Sequence, residues 1–186
     1  MQSEEFIERI LEQTRQIINQ AEKLKDYDLN ALTWRRNESS WSILECLEHL
    51  NLYGDYYLPE IESEIKKSVT KTDFEFKSGI LGNYFANSML PKGKLNKMKT
   101  FKDKNPLNTK LDKSVIDRFL NQQIKLLDLL NQSRNVSLNK VKIKISISKF
   151  IRLKLGDTFH FFVNHNIRHF NQIDQIQVEM RNSKVL

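Results

Sequence analysis

Apolar residues recur along this chain with a helical period in four long stretches and with a strand period in one. In residues 3–24, Phe6, Ile7, Ile10, Leu11, Ile17, Ile18, Ala21 and Leu24 fall on one helical face, and Ser3 followed by Glu4 and Glu5 suits its start. The period fades over 25–38, read as an ordered connection anchored by Leu29, Leu32 and Trp34. A second helix opens at Ser39 or Ser40, with Ser42 and Glu45 at capping-box spacing. It runs through His49 to about Lys67, with Pro59 bending it. Residues 68–90 hold enough apolar material for a short helix, and 91–112 are the least ordered by composition.

A third helix spans Ser114 to Ser133, burying Val115, Ile116, Phe119, Leu120, Ile124, Leu127 and Leu130. VKIKISI (141–147) alternates apolar and polar residues and is therefore extended. Lys149–Leu155 reads as a helical turn. A fourth long helix opens at Gly156 and Asp157, a good cap, and continues to about Met180. These elements predict an all-α fold: an antiparallel four-helix bundle with a lysine-rich middle loop (91–113) and a short extended segment before the last helix. Neither an internal repeat nor a second domain is visible, so residues 1–186 are expected to form one domain.

Composition narrows the class. With 39% apolar and 28% charged residues, and only five Gly and three Pro among 186, the chain suits a soluble helical globule. One cysteine, Cys46, excludes an intramolecular disulfide and suits a reducing cytoplasm. MQSEEFIERI lacks the basic and apolar regions of a secretory signal, and no apolar run approaches the roughly 20 residues of a membrane span. A cytoplasmic protein with no membrane partner is expected. The net charge of +7 sits largely in 91–110 and 139–154. Lysines spaced by Asn, Thr, Gly and Asp, without Arg enrichment, argue for solvated surface over a nucleic-acid footprint.

The candidate chemistry lies in HNIRHFNQI. His165 and His169 are four residues apart, so on a helix they share a face with roots roughly 5–6 Å apart. Gln172 joins the same stripe, whereas His160 points nearly opposite His169 and is expected among aromatics. His49, in WSILECLEHL, completes a three-imidazole site if the two segments meet. Such a site on a divalent ion leaves coordination positions open for water or substrate, as catalytic sites do. Each imidazole needs an acceptor for its other nitrogen, and Glu45, Glu48, Asn164 and Gln172 are at hand. The plain alternative is a solvent-facing His pair and a hydrogen-bonded core His49. Cys46 could supply a fourth ligand but reads better as a small core residue, and Trp41 as a core anchor.

Trp41, Ser42, Glu45, His49 and Leu50, followed by Leu155, Gly156, Asp157, His165, Arg168, His169 and Gln172, resemble the DinB/YfiT-like superfamily. The resemblance implies a four-helix bundle with His49, His165 and His169 as ligands to a divalent metal, commonly nickel or zinc, and frequently a homodimer. Some members are thiol transferases using low-molecular-weight thiols, and others are regarded as metal-dependent hydrolases. The expectation is therefore a metal-dependent enzyme of thiol S-transferase or hydrolase type. A metal-activated thiol or water would attack a small-molecule electrophile, with Glu45, Arg168 and Gln172 supporting the metal or the substrate. The other reading is a non-catalytic stress-related or interaction module with a structural metal site.

Overall fold

A computed structural model describes residues 1–90, 100–146 and 148–183. Positions 91–99 of the lysine-rich loop, and Ile147 closing the alternating stretch, lie outside the described residues. Among the described residues are six α-helices and two short strands. Helix α1 (Ser3–Lys23) buries Phe6, Ile7, Ile10, Leu11, Ile17 and Ala21 along the expected stripe. Ser3 is its first helical residue and not a side-chain cap. The Ser3 amide instead donates to the Phe74 carbonyl, and the Phe76 amide to Met1, so a passing loop satisfies the helix start.

The aperiodic connection contains one turn and a half of helix, α2 (Leu29–Thr33), capped by Asp28. Its pattern was too short to register. Leu32 is fully buried, but Leu29 faces solvent and anchors nothing. Helix α3 (Ile43–Lys67) starts at Ser42, whose hydroxyl accepts from the Glu45 amide while the Glu45 carboxylate accepts from the Ser42 amide. Ser39 and Ser40 do not cap it; both hydroxyls donate to Asn37. The helix continues past Pro59 to Lys67.

Helix α4 (Ile80–Met89) and helix α6 (Leu155–Ser183) are locked together at their starts. Asp157 lies inside the first turn of α6 instead of capping it, because helical geometry begins at Leu155. Its carboxylate accepts from Ser78 and from the Gly79 amide (3.0 Å), and so caps α4. Gly82 makes room for it, since a Cβ there would meet Asp157 Cγ at 2.1 Å. Between α5 (Ser114–Gln132) and α6 stand strands β1 (Lys142–Ile145) and β2 (Ser148–Lys154), an antiparallel hairpin with Ile143 opposite Leu153. The expected helical turn at 149–155 is thus a strand: it pairs with the alternating segment, a partner that local pattern does not reveal. Ile143, Ile145 and Leu153 face inward.

Of the expected buried face of α5, Ile124 is exposed, and the stripe passes instead through Gln123, whose side chain accepts from Asn166 of α6 at 3.0 Å. The four long helices pack pairwise: α1 and α3 each lie against both α5 and α6, α4 covers α6, and β1 lies on α3. None of the described helices is long and apolar enough to cross a membrane.

The Asp157 cap gives a stability prediction. Gly82→Ala should displace that carboxylate and cost about 1–3 kcal/mol. For a chain of this length each kcal/mol lowers Tm by roughly 2–4 °C, measurable by circular dichroism, whereas Ile124→Ala at an exposed position should leave it nearly unchanged.

Candidate metal centre

Where α3 crosses α6, three imidazoles face one another in the interior. His49, His165 and His169 are 4%, 5% and 7% exposed. Nε2 of His165 lies 3.2 Å from Nε2 of His49 and 3.1 Å from Nε2 of His169. Helical period explains the second distance; the first requires the crossing itself.

Two of the three outer nitrogens are fixed by acceptors, while Nδ1 of His165 is buried without a hydrogen-bond partner. His49 Nδ1 donates to the Lys104 carbonyl (2.6 Å), and His169 Nδ1 donates to Gln172 Oε1 (3.0 Å). A ring carrying its proton on Nδ1 presents a bare lone pair at Nε2 when neutral. Two such lone pairs therefore point at His165. The single N–H that His165 can offer at Nε2 satisfies only one of them, leaving one close contact unresolved by hydrogen bonding. A cation resolves all three. At about 2.0–2.1 Å from each nitrogen, ligand atoms stand about 2.9 Å apart at right angles and about 3.3 Å apart at the tetrahedral angle. The two separations from His165 fall between, and all three ligand atoms lie within 4.8 Å of one another. Among the described residues this is the group of His, Cys or acidic side chains whose ligand atoms could hold a metal.

Burial pushes all three imidazoles toward the neutral form. His49 is held down to about 4, first by desolvation and further by the nearby Lys104 charge, against the opposing pull of the Lys104 carbonyl. His165 and His169 lie well below the usual histidine range, again chiefly through desolvation, and then through charge on His169 and His49 for His165 and on His49 for His169. The site is thus poised as a set of neutral donors.

Aromatic rings enclose it. Trp41 lies 4.7 Å from the His49 ring and stacks on His169 at 5.8 Å, so it walls the site and is more than a core anchor. Tyr53 meets His165 edge-on at 4.6 Å, and Phe161 stacks on it at 5.9 Å. Beyond them opens a cavity of about 1080 Å³ that reaches all three imidazoles, Arg168 and Gln172.

The remaining candidates divide cleanly. Glu45 is buried, with its carboxylate bonded to Arg35, to the Ser42 amide and to the Asn108 amide (2.7 Å). Through Asn108 it ties down the segment carrying the Lys104 carbonyl. Glu48 pairs with Arg118, and Asn164 donates to the Ala86 carbonyl. Gln172 alone of the four suggested acceptors bonds an imidazole. Cys46 is fully buried, its thiol pushed up by desolvation. His160 packs edge-on against Phe6, away from the cluster. Sequence reasoning missed Lys104, because it acts through a backbone carbonyl that any residue would supply. Asn105, which accepts from the Trp41 indole at 3.1 Å, sits in the same segment.

Fold and cluster together define a mostly helical protein with a buried three-histidine group suited to a metal. The chain belongs to the DinB superfamily, whose family model matches residues 10–173 and so includes all three histidines. Neither curated proteins nor solved structures returned a match.

The depressed pKa values carry a sign. A histidine that is hard to protonate when folded, but ordinary when unfolded, draws the equilibrium toward the unfolded chain as pH falls below about 6.5. For His49 the shift from 6.5 to about 4 amounts to about 3 kcal/mol at pH 4. Urea unfolding of chelator-treated protein should thus show stability falling between pH 7 and pH 4.5. His165→Leu should flatten that slope.

Proposed function

We propose that this protein is a metalloenzyme built on a single-domain antiparallel four-helix bundle. His49, His165 and His169 hold one divalent ion, nickel or zinc, which when bound supplies a Lewis acid that lowers the pKa of a coordinated thiol or water. The observation that carries this reading is the convergence of three Nε2 atoms, with His165 at ligand spacing from both of the others, and a cavity on their open side. Gln172 and the Lys104 carbonyl keep two rings in the donating tautomer. Trp41, Tyr53 and Phe161 exclude bulk water and leave one approach, through the cavity, for a small electrophile. The reaction class is thiol S-transfer or hydrolysis in a reducing cytoplasm, by a chain that can pair as a homodimer. A closed structural site in a non-catalytic module is the competing reading, and the open cavity weighs against it.

Metal analysis of untagged protein should find about one ion per chain, and the His165→Ala/His169→Ala variant should hold only trace amounts. Equal trace content in both would overturn the proposal. On nickel-loaded protein, azide or a small thiol should shift the visible absorption, whereas an unchanged spectrum would mark a closed structural site. Gln172→Leu should weaken metal affinity about 10-fold or more, read by competition with a chromogenic chelator.

A further inference from the structure

The hairpin between α5 and α6 sets like charges against one another. Its register places Lys142 opposite Lys154 and Lys144 opposite Arg152. Because strand side chains alternate, these four cations share the face turned away from the buried Ile143 and Leu153. Directly opposed residues have Cβ atoms roughly 4.5–5.5 Å apart, and like charges so placed are destabilising. Nothing in the fold offsets that cost. The ion pairs among the described residues all lie elsewhere, and positions 91–99, 147 and 184–186 contain no Asp or Glu. The Lys154 ammonium donates to the Lys77 carbonyl at 2.6 Å, which orients it and leaves its charge in place. Phe150, two residues before Arg152 on β2, is 97% exposed. A face kept cationic only to ward off strand pairing would gain nothing from a bare aromatic ring beside it. Spacing along the sequence made these cations look like plain solvated surface; strand pairing gathers them.

We propose that the outer face of the hairpin docks a single-stranded nucleic acid, with phosphates along Lys142, Lys144, Arg152 and Lys154 and a base stacked on Phe150. Cations follow one another about 7 Å apart along each strand, which suits a chain of anions better than one isolated carboxylate. An exposed ring next to them selects a strand whose base faces are free, because in a duplex neighbouring bases cover those faces. An anionic bilayer is a poorer match. Adsorption there needs a broad apolar area, and this face of the hairpin offers one apolar side chain to four cations. The other face of the same strands, through Ile145 and Leu153, lines the cavity beside the imidazoles. Docking outside therefore stands apart from the metalloenzyme reading and does not rest on it.

The test titrates full-length protein into a fluorescein-labelled oligothymidylate of about 12 nucleotides, read by anisotropy between about 50 and about 200 mM salt. Four phosphate contacts at about 0.7 each predict a slope of log K against log salt of about −2.8. Lys142→Gln/Lys144→Gln/Arg152→Gln should flatten it to about −0.7, and Phe150→Ala should weaken binding about fivefold or more with the slope unchanged. The triple variant removes a repulsion, so its thermal melt should not fall, and lost binding is then not lost fold. Should that variant unfold, Lys144→Gln alone decides, with an expected change in slope of about 0.7. Absence of salt-dependent binding overturns the proposal, as does an affinity and slope that the variants leave unchanged. So does displacement of the probe more readily by its duplex, by polyglutamate or by phosphatidylglycerol vesicles than by unlabelled oligothymidylate. Chelator-treated protein should bind equally well; binding lost on chelation would place the partner at the imidazoles and also overturn it.

Discussion

Three ring nitrogens meeting without enough protons between them is the constraint around which this molecule is arranged. Each imidazole is buried, and burial alone makes the neutral form the stable one. Neutral rings whose outer nitrogens donate to carbonyl oxygens must turn lone pairs inward. In an apolar interior such an arrangement persists only if surrounding structure holds it, because an unpaired buried polar atom costs roughly 1–3 kcal/mol. The holding is done at two levels. Gln172 stands one turn beyond His169 on the same helix, so its contact follows from helical geometry. His49 relies on Lys104, 55 residues away, and so on the path of an irregular segment.

That segment is fastened by the same helix start that presents His49. Glu45 closes the capping box of α3, binds Arg35 and accepts from Asn108, while Trp41 donates to Asn105. Asn108 adopts a left-handed φ of 67°, a conformation that Asn tolerates better than most residues, and it turns its amide toward the carboxylate. A carboxylate placed one turn before an imidazole of the cluster could have been a base or a further member of it. Here its four hydrogen bonds consume it, and its effect on the imidazoles passes through the loop.

The parts legible in the sequence are those governed by period. The stripes of α1, α3 and α5, and the pairing of His165 with His169 and Gln172, follow from 3.6 residues per turn. The convergence of His49 with that pair was reachable as a condition, since nothing local dictates which helices cross. The failures share a cause: a tertiary partner replaced a local preference. Lys149–Leu155 resembles a helical turn until β1 lies beside it. Asp157 resembles a cap for α6 until the start of α4 claims its carboxylate, and Ile124 resembles core until Gln123 finds Asn166 across the interface. Lys104 was invisible for a stricter reason: a backbone carbonyl has no side-chain signature.

The core and the imidazole cluster draw on different pairs of helices. Residues of α3 and α6 supply the imidazoles and much of the cavity wall, whereas α1 and α5 contribute none of its lining. Helix α1 packs against α6 and helix α5 against α3, with Phe6, Ile10, Phe119 and Leu126 almost wholly buried. Burying such side chains contributes about 1.5–3 kcal/mol each, enough to offset a polar cluster that would loosen a smaller core. The faces of α3 and α6 turned toward α1 and α5 are consequently constrained by packing. Their opposite faces, with α4, the hairpin and the Lys104 segment, can change shape around a fixed set of nitrogens. Variation in the cavity wall would alter what the site admits while leaving the crossing of α3 and α6 intact.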